Sequence, residues 1–246
     1  MFQFFVEPER IGEKEISITG DDVNHIKNVL RMKAGTPLRI SNRSDADYIC
    51  HIMEIRDDEI ILAIDSIDTQ GTELTSELVL FQALPKGDKM ETVIQKNVEL
   101  GVKRIVPVRT KRCIVKLDEK KSVSKVERWQ KISESAAKQS KRMIIPEVAA
   151  VTDFNEAIRQ AAALDHFLFP YENEEGIERT REVIDTIKPG ESVGIFIGPE
   201  GGYEESEVEA ARAAGAEVIS LGKRILRTET AGMALMAVLM YKLETP

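Results

Sequence analysis

The chain has 246 residues, 42% of them apolar and 31% charged, and a formal net charge of −8. This composition is typical of an ordinary soluble globular protein, and the length suffices for one large domain or two small ones. Two cysteines, Cys50 and Cys113, and three histidines argue against a disulfide framework or a metal cluster, so we expect no metal and a reducing, cytoplasmic location.

The ends of the chain carry no membrane signal in this reading. The opening residues, MFQFFVEPER, have no basic region followed by a long apolar stretch, so they do not resemble a signal peptide. The longest apolar run, residues 233–241, is too short to span a bilayer. We therefore expect no membrane partner.

The first seventy or so residues predict short strands around one helix. The alternating run EISITG is followed by DDVNHIKNVLRMKAG, which predicts a helix that begins at an Asp cap and ends at Gly35. The strand-like runs TPLRISNR, DYICHIMEIRDD and EIILAIDSID come next. A polar stretch around Gln70 to Ser76 then reads as a linker. We predict a small β-barrel domain over residues 1–72 and a second domain over 73–246.

After the linker, strands alternate with helices. The predicted strands are ELVLFQAL, RIVPVRT, DHFLFP, SVGIFIG and EVISLG. The predicted helices are KGDKMETVIQKNVELGV, KVERWQKISESAAKQSKR, GIERTREVIDTI, YEESEVEAARAAGA and the terminal TETAGMALMAVLMYKLE. This alternation predicts an α/β domain with a parallel sheet covered by helices.

Charge is unevenly distributed along the chain. Residues 103–142 hold fourteen Lys and Arg against four Asp and Glu, a balance of +10, so the rest carries −18. Such asymmetry is typical of a surface that binds a polyanion, and a solvated helix face explains it about equally well.

A glycine-rich junction, GPEGG at residues 198–202, joins a predicted strand to a predicted helix. The P-loop pattern fails because Tyr203 and Glu204 stand where Lys and Ser or Thr are needed, and the spacing of a dinucleotide fingerprint is also absent. Glu204, Glu205 and Glu207 at the start of the helix favour its dipole but repel phosphate. We expect a ligand loop for a neutral or cationic group, and a simple tight turn is the alternative.

A second junction, SLGKRILRTETAG at residues 220–232, links the last predicted strand to the terminal helix. Its Thr hydroxyls can cap the first turn of that helix. Neither Arg227 nor Leu226 needs a functional role to explain it. Arg227 could form a surface salt bridge, and Leu226 could pack in the core. Because the carboxyl ends of parallel strands bind ligands, the two loops are expected to form adjacent walls of one pocket.

The run GPEGGYEESEVEAARAAGAEVISLGKRILRTETA resembles the C-terminal signature of SPOUT-class methyltransferases. More closely, the chain is similar to the RsmE family, which methylates uridine N3 in small-subunit ribosomal RNA. The segments HIKNVLRMKAG, LPKGDKMETVIQKNVELGV and ESAAKQSKRMIIPEV match as well. One departure is Lys138, where an acidic residue is expected before Gln139.

The resemblance implies a PUA-like β-barrel followed by a SPOUT domain with a deep trefoil knot, which is rare among folds. It implies S-adenosylmethionine as the cofactor, ribosomal RNA within the small ribosomal subunit as the partner, and a homodimer with a shared active site. A sulfonium cation beside a carboxylate-bearing glycine loop agrees with the ligand class expected above.

The resemblance also implies roles for individual residues. Arg227 would stabilise charge that develops on the base, and Glu229 would accept the proton or, alternatively, cap its own helix. Glu200 would hold the cofactor or lock its loop through backbone N–H groups. The cofactor-binding residues would be Leu168, Phe169, Ile197, Gly198, Pro199, Glu200, Gly201, Leu221, Gly222, Ile225, Leu226, Thr228, Thr230 and Ala231. The RNA-binding residues would be Arg31, Lys86, Arg109, Arg112 and Arg142.

Two other functions remain open at this stage. One is a SPOUT enzyme that methylates a ribose 2′-hydroxyl, which the N-terminal domain and the family-specific motifs disfavour. The other is a ribosome-assembly factor that binds RNA without catalysis, which the intact GPEGG and LRTETA motifs disfavour.

Overall fold

The computed structural model describes residues 1–174 and 176–244. These residues form two compact units. Unit 1 comprises Met1–Glu73 and Ala137–Ile145, and unit 2 comprises Leu74–Ala136 and the chain from Pro146 onward. The expected boundary between residues 72 and 73 lies one residue from the first division and stays a prediction; unit 1 also includes Ala137–Ile145.

Segment 137–145 belongs with unit 1 because side chains of that unit bind its backbone. The Gln3 side-chain amide donates to the Arg142 carbonyl at 2.6 Å, and the Ser41 hydroxyl donates to the Met143 carbonyl at 2.6 Å. The Glu73 carboxylate accepts from the Met143 N–H at 2.9 Å. Such contacts join residues far apart in sequence, so a linear pattern does not reveal them.

Unit 1 is built on a five-stranded sheet that curls into a half-barrel. Its order is β1-β3-β4-β5-β2, in which β1 pairs in parallel with β3 and the other pairs are antiparallel. Alternate residues of each strand turn inward, and Ile16, Ile18, Leu38 and Ile40 are buried there. The strands are β1 Phe2–Phe5, β2 Glu15–Thr19, β3 Pro37–Ser41, β4 Asp47–Ile55 and β5 Glu59–Asp68.

The helix of unit 1 differs from its prediction at both ends. α1 covers Asp21–Asn24 and continues as a π-helical turn over His25–Val29. Gly20, not an Asp, is the N-cap residue, and no side chain caps the first turn. The helix ends early because Arg31 takes a left-handed conformation with φ 52°. Gly35, the expected terminator, also has positive φ, but its N–H bonds the Ile52 carbonyl at 2.7 Å beside β3.

Unit 2 is a parallel sheet with helices between its strands, as the alternating pattern predicts. The order is β12-β10-β11-β6-β7-β8, and β9 also pairs with β7. Its strands are β6 Glu77–Ala83, β7 Arg104–Arg109, β8 Glu147–Val148, β9 Thr152–Asp153, β10 His166–Pro170, β11 Ser192–Ile197 and β12 Glu217–Ile219. Its helices are α2 Lys89–Glu99, α3 Glu119–Ser140, α4 Phe154–Ala161, α5 Ile177–Thr186, α6 Glu205–Ala213 and α7 Thr228–Leu243.

Three elements of unit 2 have no counterpart in the sequence prediction: β8, β9 and α4. The two strands have two residues each, too few to show an alternation. α4 does carry a helical pattern, because Phe154, Ala157, Ile158 and Ala161 are all buried at helical spacing. α3 begins at Glu119, six residues before the predicted start at Lys125.

The mixed α/β architecture is thus confirmed, and the strand pairings alone do not establish the trefoil knot, which stays a prediction. Within the described part of the chain, no helix combines the length and apolar character needed to cross a membrane. In unit 2 the sheet core includes Phe81, Phe169 and Phe196, all at most 1% exposed.

Candidate active site

A cavity of about 1190 Å³ lies within unit 2. The segments that follow β10, β11 and β12 line it, together with the first turns of α2 and α7. These strands are neighbours in a parallel sheet, and their carboxyl ends meet at one edge, where ligands bind in such sheets. The two loops expected to form adjacent walls of one pocket therefore do line one cavity.

Most of the residues expected to bind the cofactor or act in catalysis line this cavity. They come from the last residue of β11, the glycine-rich loop that follows it, the basic loop after β12 and the first turn of α7. They are Ile197, Gly198, Pro199, Glu200, Leu221, Gly222, Ile225, Leu226, Arg227, Thr228 and Ala231.

Five predicted residues lie elsewhere. Leu168 and Phe169 are fully buried in the strand, and the next residue, Pro170, lines the cavity instead. Gly201 and Thr230 are exposed and are not among the lining residues. Glu229 is also outside the lining set, although its carboxylate pairs with a lysine that belongs to it.

The glycine-rich loop is close-packed at two of its glycines. A Cβ atom on Gly198 would lie 2.9 Å from the ring of Tyr203, which is buried beneath it. Gly202 has φ +66°, and a Cβ there would lie 2.7 Å from a Glu172 carboxylate oxygen. A Cβ on Gly201 would meet only ordinary contacts, the nearest at 3.5 Å. The buried Tyr203 ring thus favours glycine at position 198 and positive φ favours it at position 202, whereas position 201 has room for a Cβ atom.

The acidic start of α6 forms a capping box. The Glu204 side chain accepts from the backbone of Glu207, and the Glu207 carboxylate accepts from the Glu204 N–H at 3.0 Å. Glu207 also accepts from the Lys111 N–H at 2.9 Å. These carboxylates satisfy the N–H groups to which a phosphate would bind, as the acidic sequence predicts.

Thr228 joins three parts of the site. Its hydroxyl donates to the Gly198 carbonyl at 2.6 Å and accepts from the buried Gln82 amide at 2.9 Å. Arg227, not a threonine, is the N-cap of α7, and no side chain caps that helix. The expected threonine capping is therefore wrong, because the Thr228 hydroxyl is used across the sheet instead.

Lys89 is a site residue that sequence reasoning missed. It is the first residue of α2 and lines the cavity, and its ammonium lies 2.9 Å from Glu200 Oε1 and 3.5 Å from Glu229 Oε2. A lysine in the first turn of a helix is disfavoured by the helix dipole. This unusual position is the sequence feature that could have pointed to Lys89. The hydrogen bond that Lys89 donates to Glu200 raises the pKa of Lys89 above its usual value despite partial burial.

Glu200 locks its loop to neighbouring backbone, which is one of its two expected roles. Its Oε1 accepts from the Lys86 N–H at 3.1 Å as well as from Lys89. Burial alone would raise the pKa of Glu200, but the hydrogen bonds from Lys89 and from the N–H groups of Glu200 and Lys86 lower it below its usual value.

The chain matches a family model described as an RNA methyltransferase domain over residues 72–240, and one described as an RNA methyltransferase PUA domain over residues 18–65. It is 34% identical to the ribosomal RNA small subunit methyltransferase E of Bacillus subtilis, with 99% of this chain and 98% of the relative covered. The chain belongs to this family.

Two solved structures resemble this methyltransferase over nearly all their length. One is a ribosomal RNA small subunit methyltransferase E from Neisseria gonorrhoeae bound to S-adenosylmethionine, with 30% identity, a TM-score of 0.84, and 98% and 97% coverage. The other is a methyltransferase from Legionella pneumophila with the same cofactor bound, at 30% identity, a TM-score of 0.86, and 98% and 97% coverage. S-adenosylmethionine is thus the cofactor that the family membership supports.

The loop after β12 gives the methyltransferase a basic rim. Lys223, Arg224 and Arg227 are exposed and line the cavity. Within residues 1–174 and 176–244, no ion pair holds any of the three. Their charges therefore remain available to an anionic partner at the mouth of the cavity.

The five residues expected to bind RNA have different environments. Arg31 and Lys86 have exposed side chains. Arg109 is half-buried between Asp153 and Ser122, each 3.3 Å away, and Arg112 donates to the Gly201 carbonyl at 3.0 Å. Arg142 is 4% exposed, and its guanidinium binds the Glu73 carboxylate. Because Arg142 is buried, we interpret it as a structural residue of unit 1 and not as a residue that RNA can contact.

Lys138, where the sequence departs from the family pattern, also has a partner in unit 1. Its ammonium lies 3.1 Å from Asp22 Oδ1 and 5.8 Å from the centroid of the Phe4 ring. Among the residues that the structure describes, no group of three His, Cys, Asp or Glu side chains is placed to hold a metal ion.

Proposed function

We propose that this chain transfers the methyl group of S-adenosylmethionine to N3 of a uridine in small-subunit ribosomal RNA. The observation that carries the proposal is the cavity at the carboxyl ends of β10, β11 and β12, where the glycine-rich loop and the basic loop meet. The printed names of the Bacillus and Neisseria relatives support ribosomal RNA of the small subunit as the substrate. Uridine N3 is the finer part of the proposal and rests on the sequence resemblance.

The residues around the cavity fit S-adenosylmethionine. Ile197, Leu221 and Leu226 offer apolar surface for a purine ring, and the backbone of Gly198 and Gly222 permits close approach. Glu172, Glu174 and Glu178 also line the cavity, and carboxylates attract the sulfonium and ammonium cations of this molecule. A phosphate-bearing cofactor would be repelled there.

When bound, S-adenosylmethionine supplies an electrophilic methyl group, so the chain must mainly orient the base and handle one proton. N3 of uridine is a weak acid that is protonated at neutral pH, and it becomes a nucleophile as it loses that proton. The exposed Arg227, with no ion pair in the described structure, is suited to stabilise negative charge on the base. Glu229 is suited to accept the N3 proton, because no side chain caps α7 and its carboxylate faces Lys89 instead.

RNA is proposed to meet the positive surface of unit 2. Arg109 and Arg112 stay in the proposed footprint, together with Lys86 near the cavity. Arg31 stays a proposed RNA-binding residue of unit 1 in its own right. The exposed lysines at the start of α3, Lys120 and Lys121, add charge to the basic segment. Arg142 leaves the set because it is buried against Glu73. Phosphate contacts of this kind give affinity and register rather than base identity.

The functional unit is proposed to be a homodimer that works in the cytoplasm without a metal. α7 buries Leu235, Met236 and Leu239 within its own unit, yet it leaves Val238 and Tyr241 exposed at 48% and 85%. An exposed apolar face on a helix that is already packed on its opposite side fits a second copy of this chain. Ile225, 86% exposed at the cavity rim, is a further exposed apolar side chain of this unit.

The decisive experiment is incubation of the protein with radiolabelled S-adenosylmethionine and small subunits from a strain that lacks the enzyme. We expect label in 3-methyluridine after nucleoside analysis, and no label with a folded Arg227→Ala variant. Label in a 2′-O-methylated nucleoside would replace the proposal with the ribose reaction. Cofactor binding by calorimetry without any transfer would favour the non-catalytic assembly factor.

A further inference from the structure

Three charged side chains from three separate elements of unit 2 meet beside the cavity. Lys89 comes from the first turn of α2, Glu200 from the glycine-rich loop and Glu229 from the first turn of α7. The ammonium of Lys89 stands 2.9 Å from one carboxylate and 3.5 Å from the other. One cation thus serves two anions, and the cluster carries a net charge of −1.

The two carboxylates are not equally satisfied. Glu200 accepts hydrogen bonds from Lys89 and from the Lys86 N–H. Oε2 of Glu229 is buried and has no hydrogen-bond partner in the described structure. A buried carboxylate that lies near a second carboxylate tends to take up a proton unless a cation offsets both effects. Lys89 is the cation that pairs with both carboxylates here.

The location of Lys89 indicates that its ion pairs have a specific role. A cation in the first turn of a helix is disfavoured by the helix dipole, so a lysine there needs a compensating interaction. The side chains are also substantially withdrawn from water, with Lys89 31% and Glu229 19% exposed. Charge pairs in such surroundings are less screened than pairs on the open surface.

We propose that Lys89 is a positioning residue for methyl transfer: its ammonium orients the Glu229 carboxylate and ties it to the cofactor loop through Glu200. This inference rests on the proposed function, in which Glu229 takes the proton that leaves N3. Lys89 itself gains and loses no proton in the step. Loss of Lys89 removes the ion pair that holds the Glu229 carboxylate in place, so it slows the transfer itself.

The test compares Lys89→Met and Lys89→Arg with wild type in the small-subunit assay, with Lys96→Met as a matched control. Lys96 is on the same helix and pairs with Glu99 at 2.9 Å, away from the cavity. We expect Lys89→Met to lower kcat at least about tenfold while KM for the RNA changes little. Lys89→Arg should recover much of the rate, and Lys96→Met should behave like wild type.

The pH dependence of kcat separates this role from a structural one. Lys89 pairs with Glu229 directly, Glu200 shares that lysine, and Arg227 lies two residues away along the chain. The other charged residues of α2, which packs on α7, are Glu91, Lys96 and Glu99. Without Lys89, the acid limb of the kcat profile should move to higher pH, because a carboxylate that loses a neighbouring cation holds its proton more readily. A structural role lowers the amount of active enzyme but leaves the midpoint of that limb unchanged.

Unchanged kcat and an unchanged acid limb in a folded Lys89→Met protein would overturn the inference while the proposed function stands. If wild type itself transfers no methyl group, the proposed function fails first. Should Lys89→Met not fold, Lys89→Gln removes the same charge with a polar end. In a Glu229→Gln background neither substitution should lower kcat further, and an additional full loss would contradict the coupling.

Discussion

The hydroxyl of Thr228 donates a hydrogen bond to the carbonyl of Gly198 at 2.6 Å, and this bond ties the start of α7 to the glycine-rich loop. The same hydroxyl accepts from Gln82 of β6 at 2.9 Å, so strand, loop and helix meet at one buried oxygen. The loop that is proposed to hold the cofactor is therefore braced from behind by a residue whose own side chain is 5% exposed at most.

Thr228→Val keeps the shape of the side chain and removes the hydroxyl. We expect the affinity for S-adenosylmethionine to fall about tenfold, because the carbonyl of Gly198 and the Gln82 amide lose their buried partner. Isothermal titration calorimetry measures this directly. Thr186→Val is the matched control, since it removes a local hydroxyl bond at the end of α5. Equal losses in both variants would contradict the bracing role.

The glycines of the loop should respond differently to alanine. Gly198→Ala should weaken cofactor binding and destabilise the fold by about 1–3 kcal/mol, because its new methyl group would overlap the buried Tyr203 ring. Gly201→Ala should be mild, since its Cβ would find only ordinary contacts near Arg112. Calorimetry and thermal unfolding of the pair decide it. A Gly201→Ala variant that is worse than Gly198→Ala would refute this account of the loop.

Much of the site was predictable because it lies in two contiguous stretches. GPEGG is recognisable by its glycines and LRTETA by its charged residues. The strand order then brings both motifs to one edge of the sheet. Lys89 and Gln82 were not predictable in the same way, because each acts through a partner more than 100 positions away. Spacing along the chain contains no such information.

The fold shows the same division between local and distant signals. Long periodic elements such as α7 were predicted correctly, and its observed span, Thr228–Leu243, agrees closely with the pattern. The place of segment 137–145 in unit 1 gives no sequence signal, because Gln3, Ser41 and Glu73 hold its backbone from far away in sequence. The first helix ends earlier than predicted because Arg31 adopts positive φ. Arginine has no special preference for positive φ, so the sequence does not indicate this end.

The pair formed by Arg142 and Glu73 should be a stability determinant of unit 1. Arg142→Met leaves the partly buried Glu73 carboxylate without its cation, so we expect a loss of about 3 kcal/mol in the free energy of unfolding. Adding Glu73→Gln should recover part of this loss, because the uncompensated charge disappears. Urea denaturation of the single and double variants tests both statements. If Arg142→Met has the same free energy of unfolding as wild type, the structural role is contradicted and Arg142 becomes a candidate for RNA binding again.

The Glu200–Lys89 pair gives a defined pH window for stability. The pKa of Glu200 is lowered in the folded protein and that of Lys89 is raised. The Glu200 contribution is present above its usual value of about 4.3 and lost as pH falls through the lower folded value. The Lys89 contribution is present below the usual lysine pKa of about 10.4 and is lost as pH rises through the higher pKa of the folded protein.

Wild type should therefore have a larger free energy of unfolding than Glu200→Gln at neutral pH, and this difference should disappear in acid. A gap that persists in acid would contradict the lowered pKa.

RNA affinity should depend on salt through the exposed basic residues. Lys120→Ala combined with Lys121→Ala should reduce the slope of log K against log salt by roughly 1 to 2, leaving cofactor affinity intact. Arg112→Ala should lower the slope as well and also disturb the loop, because Arg112 holds the Gly201 carbonyl. Filter binding to small-subunit RNA at several salt concentrations measures the slopes. Slopes equal to wild type in all variants would mean that the basic segment is only a solvated face.

The proposed dimer can be tested on the outward face of α7. Val238 and Tyr241 lie one helical turn apart and are exposed, whereas Leu235 and Leu239 are buried within the subunit. Tyr241→Asp should place a charge in the interface and yield monomers, because burial of an unpaired carboxylate is costly. Sedimentation at micromolar concentration should give twice 27.6 kDa for wild type and 27.6 kDa for the variant. Lys103→Asp, a charge change on an exposed residue between α2 and β7, is the control and should remain dimeric. A wild-type mass of 27.6 kDa would remove the homodimer, and with it the idea that two subunits share one active site.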